Sequence, residues 1–409
     1  MSGGLESYPI KLIILNQHEG GIEMRKMYFK NMAVIIGMLV AVAFGLSSLA
    51  YGEDKLMMGV TTCVTGTTAE SGVEIVHGIK TAIAQINSEG GINGYKVDVE
   101  ILDDQLEKVQ TVNNFKKLAG IKDIFVIGTT STGNCIAANP LAKVYKMPHM
   151  SGSTIGAWKM NEWFFRATAP DTITVPYLLK AMKEKFHVKS IACFYDYKDD
   201  WSVLCLPVYL KTVKELGLET PLPPQSIGRG DSDFSAQLTK IKEANVDAIF
   251  MPVQVREGTL INKQARGLGI KSMFCGTSGY INSNALAAAG EAGDGTIGVF
   301  TFHRASKRPG SKKFYKKYDE LFPGLKVAGY DNPCWYDATM LAAEAARNAK
   351  IKLPVTEGER TRVRDEWCKI KNYDGATGIF TFDGPNDPLP RDLLLVRFNL
   401  QKKDFDLIE

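Results

Sequence analysis

The chain has 409 residues, of which 45% are hydrophobic and 23% charged, with a formal net charge of +4. That length exceeds one ordinary core and calls for two domains. Basic and acidic residues are interspersed throughout, which argues against a dedicated nucleic-acid surface, and there is no internal repeat or low-complexity tract.

In chain order, the first signal is one of export. Met24 to Lys30 (MRKMYFK) is basic, Met32 to Leu46 is an apolar run, and Ser47 to Gly52 supplies small residues. This is the three-part pattern of a secretory signal peptide over 24–52, with cleavage expected after Gly52. The apolar run is about 15 residues, short of the roughly 20 that a bilayer-spanning helix needs. No Cys stands at the cleavage point to carry a lipid. Because the basic region begins at Met24, translation is expected to start there, and residues 1–23 are read as a non-translated extension. The mature protein is expected in the periplasm as a monomer.

Beyond the leader, strand and helix alternate. Lys55 to Val64 reads as a buried strand. Gly72 to Asn87 places Val76, Ile79, Ile83 and Ile86 at the helical period. Lys96 to Asp104 alternates as a strand, residues 109–120 form a helix, and 123–128 (DIFVIG) form a strand. Gly128 to Asn134 is almost wholly hydroxyl, amide and glycine, and hands over to a helix reaching Tyr145. A single N-cap needs one such residue. Here there are four hydroxyls in a row, where a helix's first-turn N–H groups can hold an anion.

Met147 to Thr154 repeats the pattern, a short strand running into small hydroxyl residues. Helices are predicted at Thr172–Lys185, Trp201–Leu216, Phe234–Ala244 and Gly258–Leu268, with strands at 190–195, 246–253 and 272–276. Repeated βα units imply parallel sheets covered on both faces, in two doubly wound lobes. Ligands in such folds sit at the carboxyl ends of strands. Residues 129–134, 151–154, 195–201 and 277–280 all occupy such ends, so a cleft between lobes is expected.

Catalytic and metal signatures fail. The segment after Val64, TGTTAESG, is not the G-x-G-x-x-G of a dinucleotide site. His77, Gly78 and Lys80 lie inside a helix rather than in a phosphate loop, the five His lack metal spacing, and no G-x-S-x-G occurs. No cofactor or metal is expected. The seven Cys (63, 135, 193, 205, 275, 334, 368) show no CxxC and have mostly apolar neighbours, so buried thiols are expected, although an oxidising compartment would admit a bridge. Arg229-Gly230-Asp231 reads as a loop whose Asp231 or Ser232 caps the helix at Phe234.

Several segments together resemble the leucine/isoleucine/valine-binding family of periplasmic ABC-transporter proteins. They are GVTTCVTG, GIKTAIAQINSEGGINGYKVDVEILDD, VIGTTSTG, PHMSGST, FFRATAPD, DFSAQLTKIKEANVDAIFMP, QARGLGIK and GIFTFDGPND, spanning about Lys55 to Leu400. The resemblance implies two α/β lobes joined by three crossovers, the type I periplasmic binding protein fold. Lobe one would hold 53–172 and 302–384, and lobe two 173–301 and 385–409. It implies a non-enzymatic protein that captures an amino acid or related small carboxylate and passes it to an inner-membrane permease. A sensor on the same fold, or an exported hydrolase, are the alternatives.

Carried over by position, the resemblance places the ligand carboxylate on Thr130, Ser131 and Thr132 and on Ser151, Ser153 and Thr154. Trp201 would lie over the ligand, with Gln254 beside it. Amino acid-binding members set an acid against the ligand's ammonium, and this chain has Ser278 there. A buried ammonium needs a carboxylate, so Asp196, Asp200 and Asp331 are the candidate substitutes. A ligand without the amine is the other reading.

Overall fold

The computed structural model describes residues 54–66, 68–156, 158–277, 279–388 and 393–408. The expected leader, the upstream extension and Ser278 lie outside the described residues. From Lys55 onward the chain is one compact unit containing two sheets.

The first sheet takes β1 (Lys55–Thr62), β2 (Lys96–Asp103), β3 (Ile124–Thr129), β4 (His149–Ser151) and β5 (Phe164–Arg166) in the order β2-β1-β3-β4-β5, all parallel. Between them run α1 (Ala69–Ser88), α2 (Lys108–Ala119) and α3 (Thr132–Val144). Every residue of β3 is buried, as a central parallel strand covered on both faces requires. In α1 the deepest hydrophobic residues are Ile75, Ile79, Ala82 and Ile86, so the buried face is turned by about one residue from the predicted stripe. The reason is a second neighbour. At Gly78 a side chain would overlap the backbone of Asn332, on a helix that crosses α1 in close contact.

The second sheet begins with α4 (Asp171–Phe186), then β6 (Ile191–Asp196), α5 (Asp200–Leu216), β7 (Gln225–Ile227), α6 (Ser235–Ala244), β8 (Ala248–Phe250), α7 (Val255–Gly267), β9 (Met273–Gly276), α8 (Ser283–Ala289) and β10 (Ile297–Phe300). The chain then returns to the first lobe for α9 (Pro309–Leu321), α10 (Asp331–Asn348), α11 (Glu357–Trp367) and the small β11–β12 pair (Tyr373–Asp374, Ile379–Phe380). It crosses back for β13 (Leu394–Asn399) and β14 (Asp404–Ile408). The order is β14-β13-β10-β9-β8-β6-β7, with β13 and β14 antiparallel. The second lobe is therefore mixed at one edge rather than wholly parallel, because a short turn from β13 to β14 permits only antiparallel pairing.

Three crossovers join the lobes, following β5, β10 and β12. The third is fastened to β5: Asn386 pairs with Phe165 as a parallel bridge, and Arg166 forms a two-pronged ion pair with Asp387. The predicted helix cap at 231–232 is displaced. Asp233 accepts the Ser235 N–H at 3.0 Å, while Asp231 is turned back onto the Gly228 N–H at 2.7 Å.

All seven cysteines are free, six buried and Cys368 half-buried. Burial pushes the Cys135 thiol up to about 12. Among the described residues no helix is long and apolar enough to cross a membrane, and no His, Cys, Asp or Glu cluster could hold a metal ion.

Candidate functional site

A cavity lies where the carboxyl ends of both sheets face each other, with an empty volume of about 680 Å³, its mouth included. Lobe one lines it with Cys63, Thr68 and Ser71 after β1, Leu106 after β2, Thr130, Ser131 and Thr132 after β3, Ser153 and Ile155 after β4, and Tyr330 and Asp331 at the start of α10. Lobe two contributes Asp199 and Trp201 after β6, Gln254 and Val255 after β8, and Gly279, Ile281 and Asn282 after β9.

The polar junction after β3 divides its labour. Thr129 bonds the buried His149 ring at 2.6 Å, and burial without a counter-charge takes that imidazole down to about 3. Asn134 donates to the buried Asp104 carboxylate at 3.2 Å, and Thr132 bonds Thr154 at 3.0 Å. Ser131 caps α3, accepting the Asn134 N–H at a long 3.4 Å. It does so at φ 57° and ψ 156°, a backbone region that a residue with a side chain rarely adopts and that clusters at ligand sites. Thr130, 2% exposed, is left with a buried hydroxyl that has no partner among the described residues. A helix N-terminus with an orphaned hydroxyl beside it has the donors an anion would use.

Ser153 is differently employed. Its hydroxyl accepts the Trp335 indole N–H at 2.6 Å and donates to Asp331 Oδ1 at 2.8 Å. Ser71 also bonds Asp331, and no cation lies within ion-pair distance among the described residues. Burial pushes this carboxyl up to about 7 against those two hydroxyls. It faces the cavity and is partly accessible.

The second acid of the cavity is already neutralised. Asp199 caps α5 through the Trp201 N–H at 3.0 Å, accepts from Gln254 at 2.6 Å and pairs with Arg229 at 2.9 Å. Trp201 is 4% exposed, and its indole N–H is held by the buried Asp171 at 2.7 Å. A Cβ on Gly279 would overlap the Trp201 ring, so glycine is what lets the indole lie across this end of the cavity.

The structure thus gathers Thr130, Ser131, Thr132, Ser153, Trp201, Gln254 and Asp331 around one cavity and leaves four expected residues off its wall. Ser151 accepts the N–H groups of Ser153 and Thr154, at 3.2 and 3.3 Å, and shapes the loop beneath. Thr154 is fully buried against Thr132. Asp196 is 1% exposed and holds a turn through the N–H groups of Lys198 and Arg229, and Asp200 pairs with Lys108. Thr68, Ser71 and Tyr330 are lining residues that sequence reasoning missed. For Thr68 and Ser71 the signal was present in TGTTAESG, a hydroxyl-rich strand-to-helix junction like the one after β3.

Residues 55–404 match the family described as periplasmic binding protein. The chain belongs to the periplasmic binding protein family. Leu/Ile/Val-binding protein homolog 1 of Brucella suis is 27% identical over 89% of this chain and 94% of its own length. The leucine-, isoleucine-, valine-, threonine- and alanine-binding protein of Pseudomonas aeruginosa is 27% identical over 84% and 90%. Among solved structures, a leucine-binding protein from Thermotoga maritima superposes with TM-score 0.78 at 23% identity, covering 87% of this chain and 98% of that one. A Rhodopseudomonas palustris solute-binding protein in complex with benzoate gives 0.76 at 15%, covering 87% and 96%. The fold of these periplasmic binding proteins, two α/β lobes with three crossovers, is the fold of this chain, and the expected resemblance to the Leu/Ile/Val-binding type holds.

Proposed function

We propose that this protein captures a small apolar α-amino acid between its lobes and delivers it to an inner-membrane ABC permease. One observation carries the ligand class: an anion receptor at the α3 N-terminus and a cation-seeking carboxylate, Asp331, open into the same cavity. The ligand carboxylate lies on Thr130, Ser131 and the first-turn N–H groups of α3, with charge-assisted hydrogen bonds. Its ammonium pairs with Asp331. Ile75, Leu106, Ile155, Val255, Ile281 and Trp201 receive the side chain.

Lobe one comprises 53–172 and 302–384, and lobe two 173–301 and 385–409, so the ligand groups of opposite charge both belong to lobe one. The protein acts as a monomer in the periplasm after removal of residues 24–52. N-terminal sequencing of the mature protein should begin near Glu53, and a chain retaining Met32 to Leu46 contradicts that.

The decisive experiment is calorimetry with L-leucine and with 4-methylpentanoate, the same skeleton without its amine. Leucine should bind at least tenfold more tightly, at one site and without turnover. Tighter binding of 4-methylpentanoate overturns the assignment of Asp331. Chemical conversion of ligand would support an exported hydrolase instead.

A further inference from the structure

Asp200 and Lys108 stand at the rim of the cleft and belong to opposite lobes. Lys108 opens α2 in lobe one, and Asp200 opens α5 in lobe two. Lys108 Nζ and Asp200 Oδ2 are 2.5 Å apart. The same carboxylate sits against Gly133, the second residue of α3. A Cβ at Gly133 would overlap Asp200 Oδ2 and lie 2.9 Å from Lys108 Cε. One turn along α5, Leu204 reaches lobe one as well: a Cβ at Gly156 would lie 3.3 Å from Leu204 Cδ1 and 2.8 Å from Thr132 Cγ2. The first turn of α5 therefore meets lobe one on both flanks of Trp201, which covers the cavity between them.

The chemistry of the rim contact is specific. A carboxylate at the N-terminal turn of α3 is favoured by that helix's dipole, and the lysine completes a charge pair. The two side chains are 53% and 37% exposed, so the pair can break and re-form with lobe motion and is open to screening by salt. Gly133 has an ordinary helical backbone, with no positive φ to demand glycine. Its missing side chain leaves room for the Asp200 carboxylate and for the end of Lys108.

We propose that Asp200 is an interlobe latch, a positioning residue that docks lobe two onto Lys108 and the start of α3 when the cleft closes, with Gly133 as its socket. The latch rests on the reading of the cleft as a ligand trap but not on which ligand it holds. Because the contact exists only between lobes, its loss acts on the dissociation rate more than on association.

The test is stopped-flow tryptophan fluorescence with L-leucine on the whole mature protein. Asp200→Ala should raise the dissociation rate about two- to fivefold, the range of an exposed ion pair, and flatten its dependence on salt. Gly133→Ala should raise it about tenfold, since the methyl group both strikes Asp200 and breaks its pair. Ligand-free Gly133→Ala should melt at the wild-type temperature or higher, because alanine is the better helix former. The double variant Gly133→Ala/Asp200→Ala should behave like Asp200→Ala alone, since the added methyl then meets only the flexible end of Lys108.

An unchanged rate in Gly133→Ala, or additive effects in the double variant, overturns the latch. If the wild type ignores leucine, the ligand assignment fails separately. The latch is then read from small-angle scattering of ligand-free protein in low salt. Larger dimensions in Asp200→Ala than in wild type, matched by wild type in about 1 M salt where screening is strong, support it; identical dimensions overturn it.

Discussion

The two walls of the cavity solve opposite problems. On the lobe-two wall every charged group is answered within the protein: Asp199 has Arg229, Gln254 and its own helix, and Trp201 has Asp171. On the lobe-one wall, among the described residues, Asp331 has only the hydroxyls of Ser153 and Ser71, Thr130 has a hydroxyl without a partner, and Ser131 holds a rare backbone geometry. Unsatisfied polarity is costly in a folded protein and survives where a ligand completes it. In the function proposed above, lobe one recognises charge and lobe two encloses it.

The sharpest way to break that comparison is at its two acids. Asp331→Asn should weaken leucine binding by about 2–5 kcal/mol, as removal of one member of a desolvated charge pair does. The same variant should narrow the preference for leucine over 4-methylpentanoate. Equal losses for the two ligands in calorimetry would place the ammonium elsewhere.

Proton linkage sharpens the same point. The Asp331 carboxyl, normally near 3.8, is raised to about 7 in the free protein. The folded state therefore holds an extra proton between about pH 4 and 7, and this group removes stability as pH rises through that window. Glu74 and Asp171, also raised to about 7 by burial, add to the fall in stability. Ligand affinity moves the other way, because an ammonium favours the ionised carboxylate. Leucine affinity should rise by up to about tenfold per unit toward pH 7, with proton release on binding. The slope should vanish in Asp331→Asn, and a slope that persists there assigns it to another group.

Thr130→Val comes next. Losing a hydrogen bond to a charged ligand should cost about 1.5–3 kcal/mol of affinity, while removing an orphaned buried hydroxyl should raise the melting temperature of the free protein. Movement of both quantities in the same direction would mean that the hydroxyl has a structural partner. The smallest effect is expected opposite. Asp199→Asn should lower stability by about 1 kcal/mol through the Arg229 pair yet leave leucine affinity within about threefold. A larger loss of affinity would erase the contrast between the walls.

The alternation of βα units was legible because a period of two and a period of 3.6 are local properties. The antiparallel edge formed by β13 and β14 was not, since pairing direction depends on what a strand meets across the sheet. The site divided along the same line. The hydroxyl run at 129–132 announced a strand-to-helix junction with more polarity than a cap requires. Which hydroxyls stay free could not be read there: Asn134 and Thr129 are claimed by Asp104 and His149, residues remote in sequence. Asp331 stood among three acids of equal standing until packing placed Asp196 in a turn and Asp200 on a lysine.

The anchored third connection carries a consequence for entropy. Asn386 and Asp387 fasten it to Phe165 and Arg166 of β5, so it leaves lobe one from a fixed point at the edge of the sheet. A tether pinned at its root has less slack than one that swings free. Fewer interlobe orientations are then available to be lost on closure, and less of the gross attraction for a ligand is consumed in ordering the protein.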